Sequence, residues 1–478
     1  MSEKSFDELC EEISAQVGSP TLLVGDKLKP VLNQHFFARF VAAKYNPIYE
    51  ISEEMFYIYS TETGLWEPQD RPSMTDLIST TMMLFAQEKG DSIVNAKRGV
   101  VVIRQILEFM KAKNCCGRTN AFARKGEPFI HCKNGVITFP KQEDGCRKPV
   151  LKPFDPKYMS RNRTEIEYHE AAVCNEFKTR LLEPALSEDD IAHLQLYFGQ
   201  CLLGINSSQT FLLMIGTPGG GKSTFVNVVE KAVNRQNCTE LRLRHLADSR
   251  FETQRLLGKT LLTAKDVPSN FFSTSGASTL KAITGNDTVT GELKGSNTVT
   301  DICGEFNAIV TSNNTLRIPL DGDAGAWARR IILINYNNPP PKEKILHLDD
   351  YLLENEGAGI LKWGVEGAML LLENDGQITK SKEQKNKVRN LLQQSDPITE
   401  YLEVRLCVGG KKDTVSVSEL LEDFRKFIMK KGWPPISCKY LTGSLPEYIF
   451  DMFGCTRRND VVRNGTRVRG YYGLKFNS

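Results

Sequence analysis

Long apolar runs are absent. No stretch of the 478 residues approaches the roughly 18–20 consecutive apolar positions that cross a bilayer, so no membrane-spanning helix and no membrane partner is expected. C-x-x-C pairs are also absent, and the twelve cysteines are scattered. That usage speaks against a disulfide scaffold and fits reduced thiols in an intracellular protein. Cys115, Cys116, His131, Cys132 and Cys146 cluster in sequence and are the one conceivable zinc set. Their spacing matches no usual finger or ribbon, and buried free thiols are the better account. Charge of one sign is lacking as well: the net value is +3, so bulk electrostatics do not announce nucleic acid. The opening MSEKSFDELCEEI is acidic and amphipathic, unlike a secretory signal. No internal repeat occurs, and nothing is low in complexity beyond the prolines at 339–341.

What is present is ordinary for a globular protein, with 40% hydrophobic and 25% charged residues. A chain of this length exceeds one core, and about two to four domains are expected. The most informative stretch is GTPGGGKST, comprising Gly216, Thr217, Pro218, Gly219, Gly220, Gly221, Lys222, Ser223 and Thr224. The apolar run FLLMI precedes it and FVNVVEKAV, which reads as a helix, follows. A strand, a glycine-rich turn and a helix N-terminus in that order bring backbone N–H groups onto an anion, where the helix dipole favours negative charge. The pattern points to a nucleoside triphosphate, with Lys222 reaching the β- and γ-phosphates and Ser223 holding Mg²⁺.

Ahead of this loop, residues 1–33 read as a short helical extension with Phe6, Leu9, Ile13 and Val17 as its apolar stripe. Residues 34–164 read as an α+β unit in which MFYIYSTETGLWEPQD forms a hairpin and PFIHCKNGVITFP a second strand-turn region. Residues 165–205 read as a helical collar leading into the loop. Over 206–345, LLTAKDV, STLKAIT, FNAIVTSN and RRIILINY are expected as short strands interleaved with helices, a parallel sheet with its site at the strand C-termini. NNPPPKEK marks a domain edge, 346–395 is helical and charged, and 396–478 reads as two helices followed by a basic hairpin around Arg-Asn-Gly-Thr, like a winged helix. There Arg457, Arg458, Arg463, Arg467, Arg469 and Lys475 face only Asp460 in opposition, which suits contact with a nucleic-acid backbone.

Around the nucleotide, Asp266 ends one strand and suits the acid that orients Mg²⁺ or the attacking water; a strand-end carboxylate capping the next turn is the plainer alternative. Asn313 ends another strand and suits a contact to the γ-phosphate. Arg329 and Arg330 precede the last strand and could stabilise charge on a neighbouring subunit's γ-phosphate, or simply be a solvated pair. TVTGELKGSNTV places Lys294 near the tip of a β-turn, where it could meet a phosphate backbone.

In this order the elements resemble the superfamily 3 helicases of viruses and mobile elements, and within them the poxvirus and phage/plasmid primase-helicase branch. FYIYSTETGLWEP and HCKNGVITF are similar to that branch's N-terminal domain, GTPGGGKST to its Walker A motif and AKDVP to its Walker B. LKAITGNDTVTGELKG is similar to its B′ segment, VTSNNTLRIP to motif C with its sensor asparagine, and AWARRIILINY to the arginine-finger segment. The resemblance implies a multidomain α/β protein: an α+β N-terminal domain, a P-loop AAA+-type ATPase core and a C-terminal winged-helix-like domain. It implies Lys222, Ser223, Asp266, Asn313 and Arg330 as catalytic, Lys281 as a contact to the neighbour's nucleotide, and Lys294 on a hairpin gripping single-stranded DNA. ATP and Mg²⁺ would be used by a hexameric ring that moves 3′ to 5′ on single-stranded or forked DNA. Where relatives often carry two acids at Walker B, the first position here is Lys265, so both metal and water orientation fall to Asp266. The N-terminal residues are too few for the polymerase-type primase domain that many relatives carry upstream, so a helicase without its own primase is expected, and a separate primase could serve as a partner. The alternatives are an origin-binding initiator that recruits another helicase, a nucleotide-gated packaging or assembly ATPase, and a non-hydrolysing DNA-binding scaffold.

Overall fold

The computed structural model describes residues 5–123, 126–248, 252–272, 274, 276–292, 299–318, 324–336, 345–431, 433, 435–463 and 465–477. The first apolar stripe forms a helix, Phe6–Val17, started by a capping box: Glu8 N–H donates to Ser5 Oγ at 3.3 Å and Ser5 N–H to Glu8 Oε2 at 2.8 Å. Its inward residues Cys10 and Ile13 join a core that contains Phe36, Phe37, Phe40 and Phe85, an aromatic cluster with centroid separations of 5.2–6.1 Å. The expected hairpin forms, Met55–Tyr59 antiparallel to Trp66–Gln69, and Ile48–Glu50 and Gly117–Arg118 extend it to four strands. The second strand-turn region becomes the pair Phe129–Cys132 and Gly135–Thr138, extended by Val150–Lys152. Its cysteines and histidine do not converge. Cys115 and Cys116 bring their Sγ atoms to 3.6 Å, whereas His131 stacks on Phe154 at 5.1 Å and burial pushes its imidazole down to about 4. Among the described residues no group of three or more His, Cys, Asp or Glu is placed to hold a metal.

The collar is less helical than its composition suggests. One long helix, α1 (Glu188–Leu203), begins at the N-cap Ser187, but ahead of it only a short π-helical turn, Phe177–Leu182, forms. Glu356 accepts from the N–H groups of Glu176 and Phe177 at 2.9 and 2.8 Å and fixes that turn from another element. Five strands then build the central sheet: β1 (Phe211–Gly216), β2 (Cys238–Glu240), β3 (Leu261–Ala264), β4 (Asn307–Ser312) and β5 (Ile331–Tyr336). Their order is β2-β3-β4-β1-β5 and every pairing is parallel.

The apolar strand sequences follow from burial on both faces. Leu212, Met214, Ile309, Ile332 and Ile334 pack with α1, with α2 (Lys222–Val233) and with a long helix at Leu348–Glu373. Phe211, Leu213, Leu262, Val310, Ile331 and Leu333 pack on the opposite side. There they meet Leu280 and Ile283 of α3 (Gly276–Ile283), Trp327 of α4 (Ala324–Arg330) and Leu391 of α5 (Lys382–Gln394). STLKAIT, expected as a strand, is thus part of a helix: Ala277, Leu280 and Ile283 are buried at helical spacing, and packing on the sheet decides a short apolar run that periodicity leaves open. The free edge of β5 is closed by a side chain. Leu333 N–H donates to Gln384 Oε1 at 3.1 Å, and Gln384 Nε2 donates to Leu333 O at 2.7 Å and Asp190 Oδ1 at 3.0 Å.

The last part runs helix, two strands, two helices, three strands: α6 (Pro397–Arg405), a short strand Leu406–Val408, β6 (Thr414–Ser416), α7 (Val417–Lys431), α8 (Cys438–Phe453), β7 (Arg458–Arg463), β8 (Thr466–Tyr472) and a last strand Leu474–Phe476 that pairs with Leu406–Val408. It has its own core around Tyr401, Phe424, Leu445, Ile449 and Tyr471, and β8 lies between β6 and β7 in an antiparallel sheet. Among the described residues no helix is long and apolar enough to cross a membrane. Replacing Gln384 by Leu strands a buried backbone N–H and C=O on β5. At about 1–3 kcal/mol per orphaned group, the Gln384→Leu protein is expected to lose about 2–6 kcal/mol, read as a lowered midpoint in chemical denaturation.

Candidate nucleotide site and nucleic-acid interface

Strand β1 delivers the chain to Gly216, where a Cβ would stand 2.0 Å from the carbonyl oxygen of Tyr336 on β5, so only glycine fits. Thr217 N–H donates to that same oxygen at 3.0 Å, and the turn closes on Gly221 (φ 99°), the N-cap of α2. The N-terminal N–H groups of α2 have no intrahelical acceptor and are available to an anion. Lys222 is 3% exposed, and its ammonium donates to Gly216 O at 2.7 Å and Thr217 O at 2.8 Å. Burial draws its pKa down while the charge of Asp266 opposes that, which places the two groups in one electrostatic site. Ser223 and Thr224 follow half-buried, and Thr217, Pro218 and Gly219 are exposed.

Asp266 follows β3 in a left-handed conformation (φ 51°), which costs a non-glycine residue about 1–2 kcal/mol and recurs at functional sites. Its N–H donates to Thr311 Oγ1 at 3.0 Å, and Asn313 Nδ2 donates to Asp266 Oδ1 at 3.2 Å. Because β4 lies between β1 and β3, Asn313 stands between the phosphate loop and the acid. Gly216–Thr224, Asp266 and Asn313 therefore meet at one edge of the sheet. A hydroxyl and a carboxylate, hard oxygen donors beside a helix N-terminus, suit Mg²⁺ and phosphate together.

Lys265 points elsewhere. Its ammonium donates to Glu230 Oε2 at 2.8 Å and Asn227 Oδ1 at 2.7 Å, both on α2, while Glu230 Oε1 accepts from Thr263 Oγ1 at 2.6 Å. The unexpected cation at this position is neutralised by a carboxylate that sequence analysis missed, and the one available signal was an acid inside the apolar run of α2.

Lys281, Arg329 and Arg330 are not part of this edge. Arg330 immediately precedes β5, and Ile331 pairs with Phe211 at the start of β1 while Tyr336 pairs with Gly216 at its end. At about 3.3 Å per residue, Arg330 lies about 20 Å from its own phosphate loop, along the strands. Lys281 is on their side, its ammonium 5.3 Å from the ring centre of Trp327. Within the pair, Arg330 departs from the expected subunit-edge placement. It is 7% exposed and donates to Ala326 O at 3.2 Å, whereas Arg329 is exposed, because consecutive residues on a helix point about 100° apart. Lys380 Nζ donates to Ala328 O at 2.6 Å and Arg329 O at 2.8 Å, ending α4, and burial pushes this ammonium down to about 8. The segment similar to B′ forms an antiparallel pair, Thr288–Glu292 with Val299–Cys303; Lys294 lies outside the described residues.

On the C-terminal hairpin the five arginines divide. Arg458 pairs with Asp460 at 2.7 Å, and Arg463 pairs with Glu419 at 2.8 Å, an acid distant in sequence, so Asp460 is not the one opposing charge. Arg467 and Arg469 are exposed on one side of β8, and Arg457, also exposed, approaches Thr442 O at 3.5 Å.

Residues 214–330, which include Lys222, Asp266, Asn313 and Arg330, match a family model described as "Family of unknown function (DUF5906)". No curated protein matches the chain. The apo NrS-1 C-terminal region is similar over 89% of this chain and 95% of that chain, at 12% identity and a TM-score of 0.44. A second structure of that region gives 89%, 96%, 12% and 0.46. JCV helicase bound to a small-molecule acetamide is similar over 53% of this chain and 64% of that chain, at 16% identity and a TM-score of 0.26.

The Lys265–Glu230 pair is partly buried, so Glu230→Gln, which leaves the ammonium without its counter-charge, is expected to cost about 2–3 kcal/mol in chemical denaturation. The double change Lys265→Met with Glu230→Gln should recover part of that loss. A double variant as unstable as the sum of both singles would show that the pair is not coupled.

Proposed function

We propose that the chain is an ATP-driven replicative DNA helicase of a virus or mobile element, working as a homo-oligomeric ring, a hexamer by resemblance, with ATP at the seams. The observation that carries this is the division of charged groups between the two edges of one parallel sheet. Lys222, Ser223, Asp266 and Asn313 occupy the C-terminal edge, and Lys281, Arg329 and Arg330 the other, about 20 Å away for Arg330 at about 3.3 Å per residue. A cation set that far from its own phosphate loop serves a neighbour's.

In this proposal Lys222 and the N-terminal N–H groups of α2 bind the β- and γ-phosphates. Ser223 and Asp266 would hold Mg²⁺, which supplies positive charge against the phosphate oxygens. Asp266 and Asn313, joined by a hydrogen bond, orient the attacking water. Arg329, the exposed member of its pair, enters the neighbouring site, Arg330 anchors the helix end behind it, and Lys281 supports the same seam. Lys294 grips single-stranded DNA at the hairpin tip, with 3′ to 5′ polarity as the resemblance implies and a separate primase as partner.

The C-terminal module is winged-helix-like in this reading, and its charges favour the hairpin over α8 as the DNA contact. The exposed face of α8 offers Lys439 but also Glu447 and Asp451, whereas β8 presents two exposed arginines, Arg469 and Arg467, the latter facing Val462, beside Asp460, which Arg458 already pairs. Such a surface holds phosphates and does not read bases, which favours a helicase over an origin-specific initiator.

Arg329→Ala and Lys222→Ala are each expected to abolish ATP turnover. Mixed, they should regain a fraction of it, because seams that join an intact phosphate loop to an intact arginine form again. A mixture no more active than its components would sink the shared-site proposal. For the module, Arg467→Ala/Arg469→Ala should reduce the slope of log affinity against log salt on forked DNA by about 2, at about 0.9 for each phosphate no longer neutralised, equally for unrelated sequences.

A further inference from the structure

The segment that carries Asn313 does not end at the ATPase sheet. It continues through Leu316, Arg317 and Ile318, of which Leu316 and Ile318 are fully buried. Three tethers hold it. Arg317 N–H donates to Ser269 O at 2.8 Å, three residues beyond Asp266, so the acid segment and the asparagine segment are joined. Leu316 O accepts from Ser395 Oγ at 3.0 Å, at the entrance to the C-terminal module. The Arg317 side chain then crosses into that module: its Nη1 donates to Lys431 O at 2.8 Å, and its guanidinium lies 4.8 Å from the ring centre of Trp433.

Lys431 is the last residue of α7, so the guanidinium meets a helix C-terminus, where the dipole favours a cation. Trp433 is itself fixed, 6% exposed with Nε1 donating to Glu400 Oε2 at 3.0 Å, and Lys431 pairs with Glu400 Oε1 at 2.8 Å. A planar, multidentate side chain on an aromatic face with a carbonyl at its tip has one orientation, which a lysine reproduces only in charge.

We propose that Arg317 is a positioning residue of the nucleotide site, and that the C-terminal module, through Trp433, Glu400 and the end of α7, is the seat that sets it. Arg317 touches neither phosphate nor water. It fixes the backbone four residues after Asn313 and, through Ser269, the backbone after Asp266. The module thereby completes the ATPase site from behind as well as presenting its hairpin to DNA. The inference rests on the assignment of Asp266 and Asn313 to the water and γ-phosphate.

The test is steady-state MgATP turnover by the full chain carrying Arg317→Ala, Arg317→Lys or Trp433→Leu, beside Lys222→Ala. Arg317→Ala is expected to lower kcat by about tenfold to a hundredfold, with KM for ATP within about twofold, the pattern of a misaligned site that still binds. Arg317→Lys should recover part of kcat, and Trp433→Leu should reproduce the loss from the other side of the contact. Unchanged kcat in both Arg317→Ala and Trp433→Leu, with Lys222→Ala inactive, would overturn this inference alone. A kcat loss matched by an equal rise in KM and not relieved by lysine would also overturn it, because the contact would then be a general support. Full turnover by Lys222→Ala would instead remove the nucleotide-site assignment beneath it.

Discussion

Parallel strand polarity is the constraint from which the rest of the molecule follows. Five strands pointing one way put every strand C-terminus, and hence the loops that follow the strands, at one edge. The phosphate turn, Asp266 and Asn313 come together there from segments far apart in sequence, because β4 is inserted between β1 and β3. The same polarity sends the start of β5, and Arg329 and Arg330 with it, to the far edge. Both faces must then be covered, and the apolar alternation along each strand recruits α1 and α2 on one side and α3, α4 and α5 on the other. Even the open edge of β5 is treated as a strand-pairing position, with the Gln384 amide in place of a backbone.

Charge is managed by local pairing rather than by excess. With a net value of +3, the chain cannot rely on a diffuse positive field and instead leaves particular cations exposed. Lys265 is held away from the acid edge by Glu230 and Asn227, and Arg458 and Arg463 are matched by Asp460 and Glu419. Arg329, Arg467 and Arg469 remain exposed, and these are the cations that the proposed function uses. Lys380 places a partly desolvated ammonium on two carbonyls at the end of α4, so the helix end that carries Arg329 and Arg330 is fixed by a residue outside that helix.

Legibility in the sequence tracked how local the physics was. The hairpin at Met55–Gln69, the capped first helix and the strand-turn-helix around GTPGGGKST are set by contacts within a few residues, and each was readable. STLKAIT was not, since Leu280 and Ile283 suit either a strand or a helix until the sheet is present to pack against. The collar was over-read as helix because residues ahead of α1 take their backbone partners from Glu356, nearly two hundred positions on. Glu419 opposite Arg463 and Trp433 beneath Arg317 were invisible for the same reason.

By itself the sequence determined the chemistry available: a glycine-rich anion cradle with a lysine and a hydroxyl, an acid and an asparagine at strand ends, and arginines ahead of a strand. Residue type and short spacing decide those, since glycine conformation, helix capping and donor identity act over a few bonds. Only the tertiary structure decided which groups share an edge, that Arg330 turns inward while Arg329 faces solvent, that Lys265 is neutralised by Glu230, and that the last module grips the segment behind Asn313. Those outcomes depend on strand order and burial, which arise from contacts between residues remote in the chain.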